Sequence, residues 1–217
     1  MRIGLIVPSS NTVMEPDFHR HFTQPNVVST TRILLEQVTR EAEIRMLRED
    51  LPRAVQLIKT TAPDVVVFGY TSAGSLQGLV HDDGIGAMIE KQTGAKAVTV
   101  LRAIVQRLVS IAPKKIAVLT PYVEDLTSSI AGCIAEAGFT VVKAAGMGIQ
   151  QNLEIGNVTP AEIVSFVESQ LDGTEADCAF LSCTNWRAIE TIDQLRTKLG
   201  IPVITSNQAA IDAVAAK

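Results

Sequence analysis

Short apolar runs recur along the chain at positions 3–7, 65–68, 97–100, 116–119, 179–181 and 203–205. Between them lie longer stretches with apolar residues at helical spacing: 42–60, 102–111, 124–137, 161–171 and 188–199. Runs this short and this apolar read as strands buried on both faces, and the periodic stretches as amphipathic helices. Their alternation predicts a parallel sheet with helices on both faces. At 159–162, "TPAE" marks one helix start, with Thr159 as N-cap, Pro160 at the first helical position and Glu162 three residues after the cap.

The pattern is written twice. "RIGLIVPSS" from Arg2 matches "KIAVLTPYV" from Lys115, so Pro8 and Pro121 stand 113 residues apart. "DVVVFGYTSAGS" from Asp64 and "DCAFLSCTNWRA" from Asp177 share that offset, while "GAKAVTV" from Gly94 matches "GIPVITS" from Gly200 at an offset of 106. The expected fold is α/β, with two pseudo-symmetric halves, 1–100 and 101–217, each a mostly parallel sheet flanked by helices. Ligands of open α/β sheets bind outside the carboxyl ends of the strands. Those ends are "PSSN" (8–11), "YTSAGS" (70–75), "TPY" (120–122) and "SCTN" (182–185). Halves that face each other would bring the four loops into one cleft.

Composition narrows the field. With 47% hydrophobic and 19% charged residues, the chain has the make-up of a compact soluble protein. Net charge is −4 with no cluster of Lys and Arg, so neither nucleic acid nor an anionic membrane is an expected partner. The N-terminal run 3–7 is too short for a signal peptide or a membrane span, which points to the cytoplasm. Cys133, Cys178 and Cys183 lack metal-ligand spacing and are expected as free thiols. His19 and His21, two apart, fall on different helix faces, and His81 stands alone; surface or loop positions are expected for all three. Gly69 and Gly74 lack the lysine of a phosphate loop, "GMG" at 146–148 lacks the third glycine of a dinucleotide fingerprint, and there is no G-x-S-x-G. No nucleotide, metal or organic cofactor is therefore expected.

The offset of 113 sets Tyr70 against Cys183, Thr71 against Thr184 and Ser72 against Asn185. Amides at strand-to-helix junctions, with the hydroxyls of Thr71, Ser72 and Thr184, suit carboxylates. Two such nests across a cleft fit a small dicarboxylate. A helix N-terminus after Cys183 is expected to lower its thiol pKa. Thr71 and Ser72 also read as helix caps, and Asn11 as the N-cap of the segment that follows it. Cys178, Cys133 and Trp186 read as packing residues.

The duplicated halves, with "YTS" and "SCTN" at equivalent strand ends, resemble the aspartate/glutamate racemase superfamily. That resemblance implies cofactor-independent chemistry at the α-carbon of a carboxylate, carried out between two facing cysteines. "GLIVPSSNTVMEP" (4–16), "YTSAGS" (70–75), "TPYVEDL" (120–126), "NLEIG" (152–156) and "SCTNWRAI" (182–189) are most similar to maleate cis-trans isomerases, and less closely to arylmalonate decarboxylases. By this resemblance Asn11 and Asn152 contact substrate carboxylates, and Thr71, Ser72 and Tyr122 donate hydrogen bonds in the first carboxylate pocket. Thr184 and Asn185 line the opposite pocket, Cys183 is the second catalytic cysteine, and a homodimer is implied.

Tyr70 is the departure, standing where these enzymes carry their first cysteine. Isomerisation of this type needs a thiolate that adds to the double bond, so that rotation about a single bond becomes possible. A phenol with a reference pKa of about 10 is a poor substitute. Three activities stay open. The leading expectation is isomerisation of a small dicarboxylate, with Cys183 as acid/base or nucleophile and Tyr70 in place of the first family cysteine. The second is decarboxylation of an arylmalonate-type substrate with Cys183 as proton donor. The third is carboxylate binding without catalysis.

Overall fold

The computed structural model describes residues 1–35 and 37–217. The first half runs β1 (Arg2–Pro8), α1 (Met14–His21), β2 (Val27–Ile33), α2 (Arg40–Glu49), α3 (Leu51–Lys59), β3 (Val65–Phe68), α4 (Ser72–Ser75), α5 (Gly78–Thr93) and β4 (Lys96–Thr99), and α6 (Val100–Ile111) leads out of it. The second runs β5 (Lys115–Thr120), α7 (Glu124–Glu136), β6 (Thr140–Gly146), α8 (Asn152–Asn157), α9 (Pro160–Leu171) and β7 (Cys178–Leu181). It continues through a 3-10 turn (Arg187–Thr191), α10 (Ile192–Leu199) and β8 (Val203–Thr205) into α11 (Ser206–Ala215).

Each half forms a four-stranded parallel sheet, ordered β2-β1-β3-β4 and β6-β5-β7-β8. The duplication extends to register: Ile3 pairs with Val65 in one sheet and Ile116 with Cys178 in the other. The inner strands β3 and β7 are buried along their whole length, which is why they are written as unbroken apolar runs.

Several elements depart from the sequence pattern. Edge strands β2 ("VVSTTRI") and β6 ("TVVKAAG") are only partly buried, so they carry polar residues and show no apolar run. The periodic stretch 42–60 is two helices, broken between Glu49 and Leu51; Pro52, lacking an N–H, sits in the first turn of α3. The stretch 188–199 begins as a 3-10 turn. Helices α1, α5 and α11 add to the expected set, and His19 and His21 lie exposed on α1.

A shared core joins the halves. Ile3, Leu5 and Val7 of β1 pack in one continuous cluster with Ile116, Val118, Phe180 and Leu181 of the second sheet. Ile6, on the other face of β1, joins a separate outer cluster with Val55, Ile58 and Phe68. Helices α6 and α11, each following the last strand of its half, pack against one another and against the opposite half's last strand. No described helix is long and apolar enough to cross a membrane.

The loop after β5 is fastened to the end of β6. The amides of Met147, Gly148 and Ile149 donate to the carbonyls of Thr120, Tyr122 and Pro121 at 3.0, 3.0 and 2.9 Å. A Cβ on Gly146 would stand 2.1 Å from the Tyr122 carbonyl oxygen, so only glycine fits there. Gly146→Ala is expected to lower stability by about 1–3 kcal/mol through overpacking against backbone. Gly132, inside α7 with nothing within 4 Å of its would-be Cβ, is the control. Gly132→Ala is expected to raise stability by about 0.5–1 kcal/mol. Thermal denaturation of both variants checks the pair.

Candidate active site

The end of β1 and the loops after β3, β5 and β7 converge on a small cavity between the two sheets. Its floor carries Tyr70, Thr71 and Ser72 from one half and Tyr122, Cys183 and Thr184 from the other. Asn152, at the start of α8, completes that side, and Pro8, Leu35 and Val38 form an apolar wall. The cavity measures about 10 Å3, room for about one water molecule. Larger clefts of about 250 Å3 beside Asp82 and about 420 Å3 beside His81 include none of these four segments.

The cover is a strap between the halves. Val38 N–H donates to the Gln150 carbonyl at 2.9 Å, and Gln37 pairs with Gln151 in an isolated antiparallel bridge. Leu35 and Val38 line the cavity beside it.

Cys183 is buried, and its Sγ accepts the Asn185 N–H at 3.2 Å. The Tyr122 hydroxyl and the Trp186 N–H also reach it. Burial nevertheless pushes the thiol up to about 12, the hydrogen bonds offsetting only part of the desolvation. The expectation of a lowered pKa is therefore corrected. A turn and a five-residue 3-10 segment follow Cys183 instead of an α-helix, and loss of solvent outweighs the amides that do point at it. The resting group is a thiol.

Tyr70 faces the same cavity from the paired position. Its ring stacks on Phe68, with centroids 4.8 Å apart, and joins the outer core of the first half. Its hydroxyl is buried with no partner among the described residues, and burial followed by the charge of Glu43 raises its pKa well above 10. Tyr122 is likewise buried and held as a neutral phenol by desolvation.

Several of the remaining candidates already make hydrogen bonds that tie the halves together. Asn11 Oδ1 gathers the amides of Val13 and Met14 at 3.0 and 2.9 Å, and its Nδ2 donates to Thr184 Oγ1 at 3.1 Å. Thr184 in turn donates to the Gly69 carbonyl at 3.0 Å. Asn185 Oδ1 accepts the Thr12 N–H at 2.8 Å, and its Nδ2 donates to the Asn152 carbonyl at 2.6 Å. Asn152 Nδ2 donates to Ser10 Oγ at 2.8 Å. Thr71 donates to Ser206 Oγ at 3.0 Å, and Ser72 donates to a Glu43 carboxyl oxygen. Asn11 and Asn185 thus stand behind the cavity lining, while Thr71, Ser72, Tyr122, Asn152 and Thr184 are on it.

Two buried acids at or next to the site escaped the sequence pattern; a third, Asp82, is buried away from it. Asp17 on α1 accepts Asn207 Nδ2 at 2.7 Å, and the same amide donates to the Thr184 carbonyl at 3.0 Å, which steadies the loop after Cys183. Burial raises the Asp17 pKa. Glu43 on α2 is fully buried and lines the cavity. With Arg40, Glu41, Arg45, Arg48 and Glu49 beside it, α2 reads as a solvated helix. The one available signal was that Glu43 shares its face with Met46, the other buried residue of that helix.

A family model described as arylmalonate decarboxylase matches residues 3–217. The chain is 27% identical to a maleate isomerase of Geobacillus stearothermophilus, covering 97% of this chain and 88% of that one. It is 24% identical to an arylmalonate decarboxylase of Bordetella bronchiseptica, covering 98% and 88%. A solved structure of Nocardia farcinica maleate cis-trans isomerase, a cysteine-to-serine mutant with a covalently bound succinylcysteine intermediate, aligns with a TM-score of 0.88 at 25% identity, covering 98% of this chain and 90% of that one. With the match running over nearly its whole length, and with isomerases and a decarboxylase among its relatives, the chain belongs to the arylmalonate decarboxylase family.

Proposed function

We propose that the protein is a cofactor-independent enzyme that turns a small dicarboxylate into a carboxylate-stabilised carbanion and protonates it with Cys183. Loss of CO2 from a substituted malonate is the reaction the geometry supports best. The observation that carries this reading is a single thiol on the cavity wall among the described residues, held protonated by burial, with the phenol of Tyr70 at the paired position.

One carboxylate of the diacid is held in the pocket lined by Thr71, Ser72 and Tyr122, by nearby amides and by the Thr71 hydroxyl once it turns from Ser206; the Ser72 and Tyr122 hydroxyls stay on Glu43 and Cys183. The other lies against Pro8, Leu35 and Val38, where a charge is poorly solvated and its loss as CO2 relieves that cost. The breaking C–C bond leaves its electron pair on the remaining carboxylate as an enediolate, stabilised by the same donors. The Cys183 S–H then delivers its proton to the α-carbon, and the resulting thiolate, steadied by Tyr122 and the Asn185 amide, regains a proton from water.

A second reading is cis-trans isomerisation, favoured by the maleate isomerases among the relatives and by the succinylcysteine, a bond from sulfur to substrate carbon, in one of their structures. In this chain Cys183 would be the attacking sulfur, and it would have to lose its proton first.

The test is incubation in D2O with maleate and with phenylmalonate, followed by NMR. Decarboxylation places deuterium on the α-carbon of the monoacid product; isomerisation yields fumarate. Cys183→Ser is expected to lower kcat by about 10²–10⁴-fold, and turnover that survives this change overturns the role of Cys183. Binding of both diacids with turnover of neither establishes a carboxylate binder. Tyr70→Cys, which restores a thiol at the paired position, is expected to create or raise activity that needs two thiols, read as fumarate formed from maleate. No gain would mean that the loop after β3 presents position 70 differently from the family's two-cysteine sites.

A further inference from the structure

Glu43 sits where a negative charge is hardest to carry. One carboxyl oxygen, Oε1, accepts the Ser72 hydroxyl. The other, Oε2, is buried with no partner among the described residues, on a residue that forms part of the cavity wall. The groups that face it come from every element around the site. They are Tyr70 after β3, Ser72 on α4, Tyr122 after β5 and Cys183 after β7. All four are uncharged in the resting site. Among the described residues no lysine, arginine or histidine contributes to its charge balance; Arg32 and Asp50 act on Tyr70 instead.

Burial pushes the Glu43 carboxyl up to about 8, with the Ser72 hydrogen bond offsetting only part of the shift. At neutral pH the group is therefore a carboxylic acid. An acid has one O–H to give, whereas a carboxylate in the same place could only accept and would repel an incoming anion. A buried polar atom without a partner calls for an explanation, and an arriving acceptor supplies one.

We propose that Glu43 is a substrate-binding residue that acts as a neutral acid, its Oε2–H donating to a carboxylate oxygen of the bound diacid while Oε1 continues to hold Ser72. The proposal rests on the reading of the substrate as a small dicarboxylate and names the partner of one of its carboxylates. It also explains how a site without a cation accepts an anion: one of the two carboxyl groups that meet there is kept neutral. Substrate binding is then tied to the Glu43 proton, so affinity is constant at low pH and declines as pH rises through the pKa of the free site. Above that point each further pH unit raises Kd about tenfold.

Two measurements separate this proposal from the reading beneath it. The first needs no ligand. In protein labelled with 13C at the glutamate carboxyl carbon, the resonance missing from Glu43→Gln should titrate with a midpoint near pH 8. The folded pKa lies above the ordinary glutamate value of 4.5, so folding favours the protonated form and stability contributed by this proton is lost as pH rises from about 4.5 to 8. Glu43→Gln should therefore gain in Tm over the unaltered protein across that window, with the gain levelling off above it. A midpoint below pH 6 overturns the proposal.

The second is calorimetric titration with phenylmalonate and with maleate between pH 6 and 9.5. The unaltered protein should lose affinity above pH 8. Glu43→Gln, whose amide donates at every pH, should keep its affinity, and Glu43→Leu should bind about 10–100-fold more weakly throughout. A flat profile in the unaltered protein, or the same decline in Glu43→Gln, overturns the assignment. Binding of neither diacid at any pH, with the carbon midpoint still near 8, overturns the dicarboxylate reading and with it the partner assigned to Oε2.

Discussion

Desolvation acts in one direction on Cys183, Tyr70, Tyr122 and Glu43, favouring the protonated form of each, and the one described cation that acts against it, Arg32 on Tyr70, does not reverse it. The cavity therefore holds its protons tightly and presents donors instead of charges. That state exists only because two sheets close on each other and leave space for about one water between their carboxyl edges. Loosening this closure would readmit solvent, let the four groups return toward ordinary values and remove the distinction between this site and an exposed cluster of polar residues.

The closure itself is hydrogen-bonded across the halves at the level of the loops. Asn11 meets Thr184, Asn185 meets the Thr12 amide, and Thr184 meets the Gly69 carbonyl. These bonds lie within one or two residues of Cys183 or Tyr70, so the same contacts that join the halves also aim the groups facing the cavity. Asp17 and Asn207 extend the arrangement one layer outward by holding the Thr184 carbonyl. The single-donor mechanism proposed above needs such stiffness, because one proton donor delivered to one face of a carbanion would have no second group to correct its position.

Much of this was legible along the chain, and the reasons it was legible are particular. Buried strands such as "VVVF" and "CAFL" need apolar residues at every position, so they stand out, and the offset of 113 carried through to paired strand registers. The cavity residues from Tyr70 to Ser72 and from Cys183 to Thr184 could be named because ligands gather at strand ends. The edge strands β2 and β6 could not, since half-exposed strands tolerate serine, threonine, lysine and arginine. The break before α3 was written in Pro52, but the helical periodicity on both sides of it masked the interruption.

What the sequence determined by itself was the repeat, the parallel α/β architecture and the meeting of Tyr70 with Cys183, because these depend on local pattern and on position within a duplicated unit. What the tertiary structure decided was protonation and partnership. Cys183 followed by a polar loop looked like a candidate thiolate, and burial from the opposite half makes it a thiol with a pKa of about 12. Glu43 looked like one more surface charge on a helix rich in them, and packing of α2 against the strand-end loops turned it into a buried acid on the cavity wall, with one oxygen unpartnered among the described residues. Solvent exclusion is a property of everything that surrounds a group, and those surroundings come from residues far away along the chain.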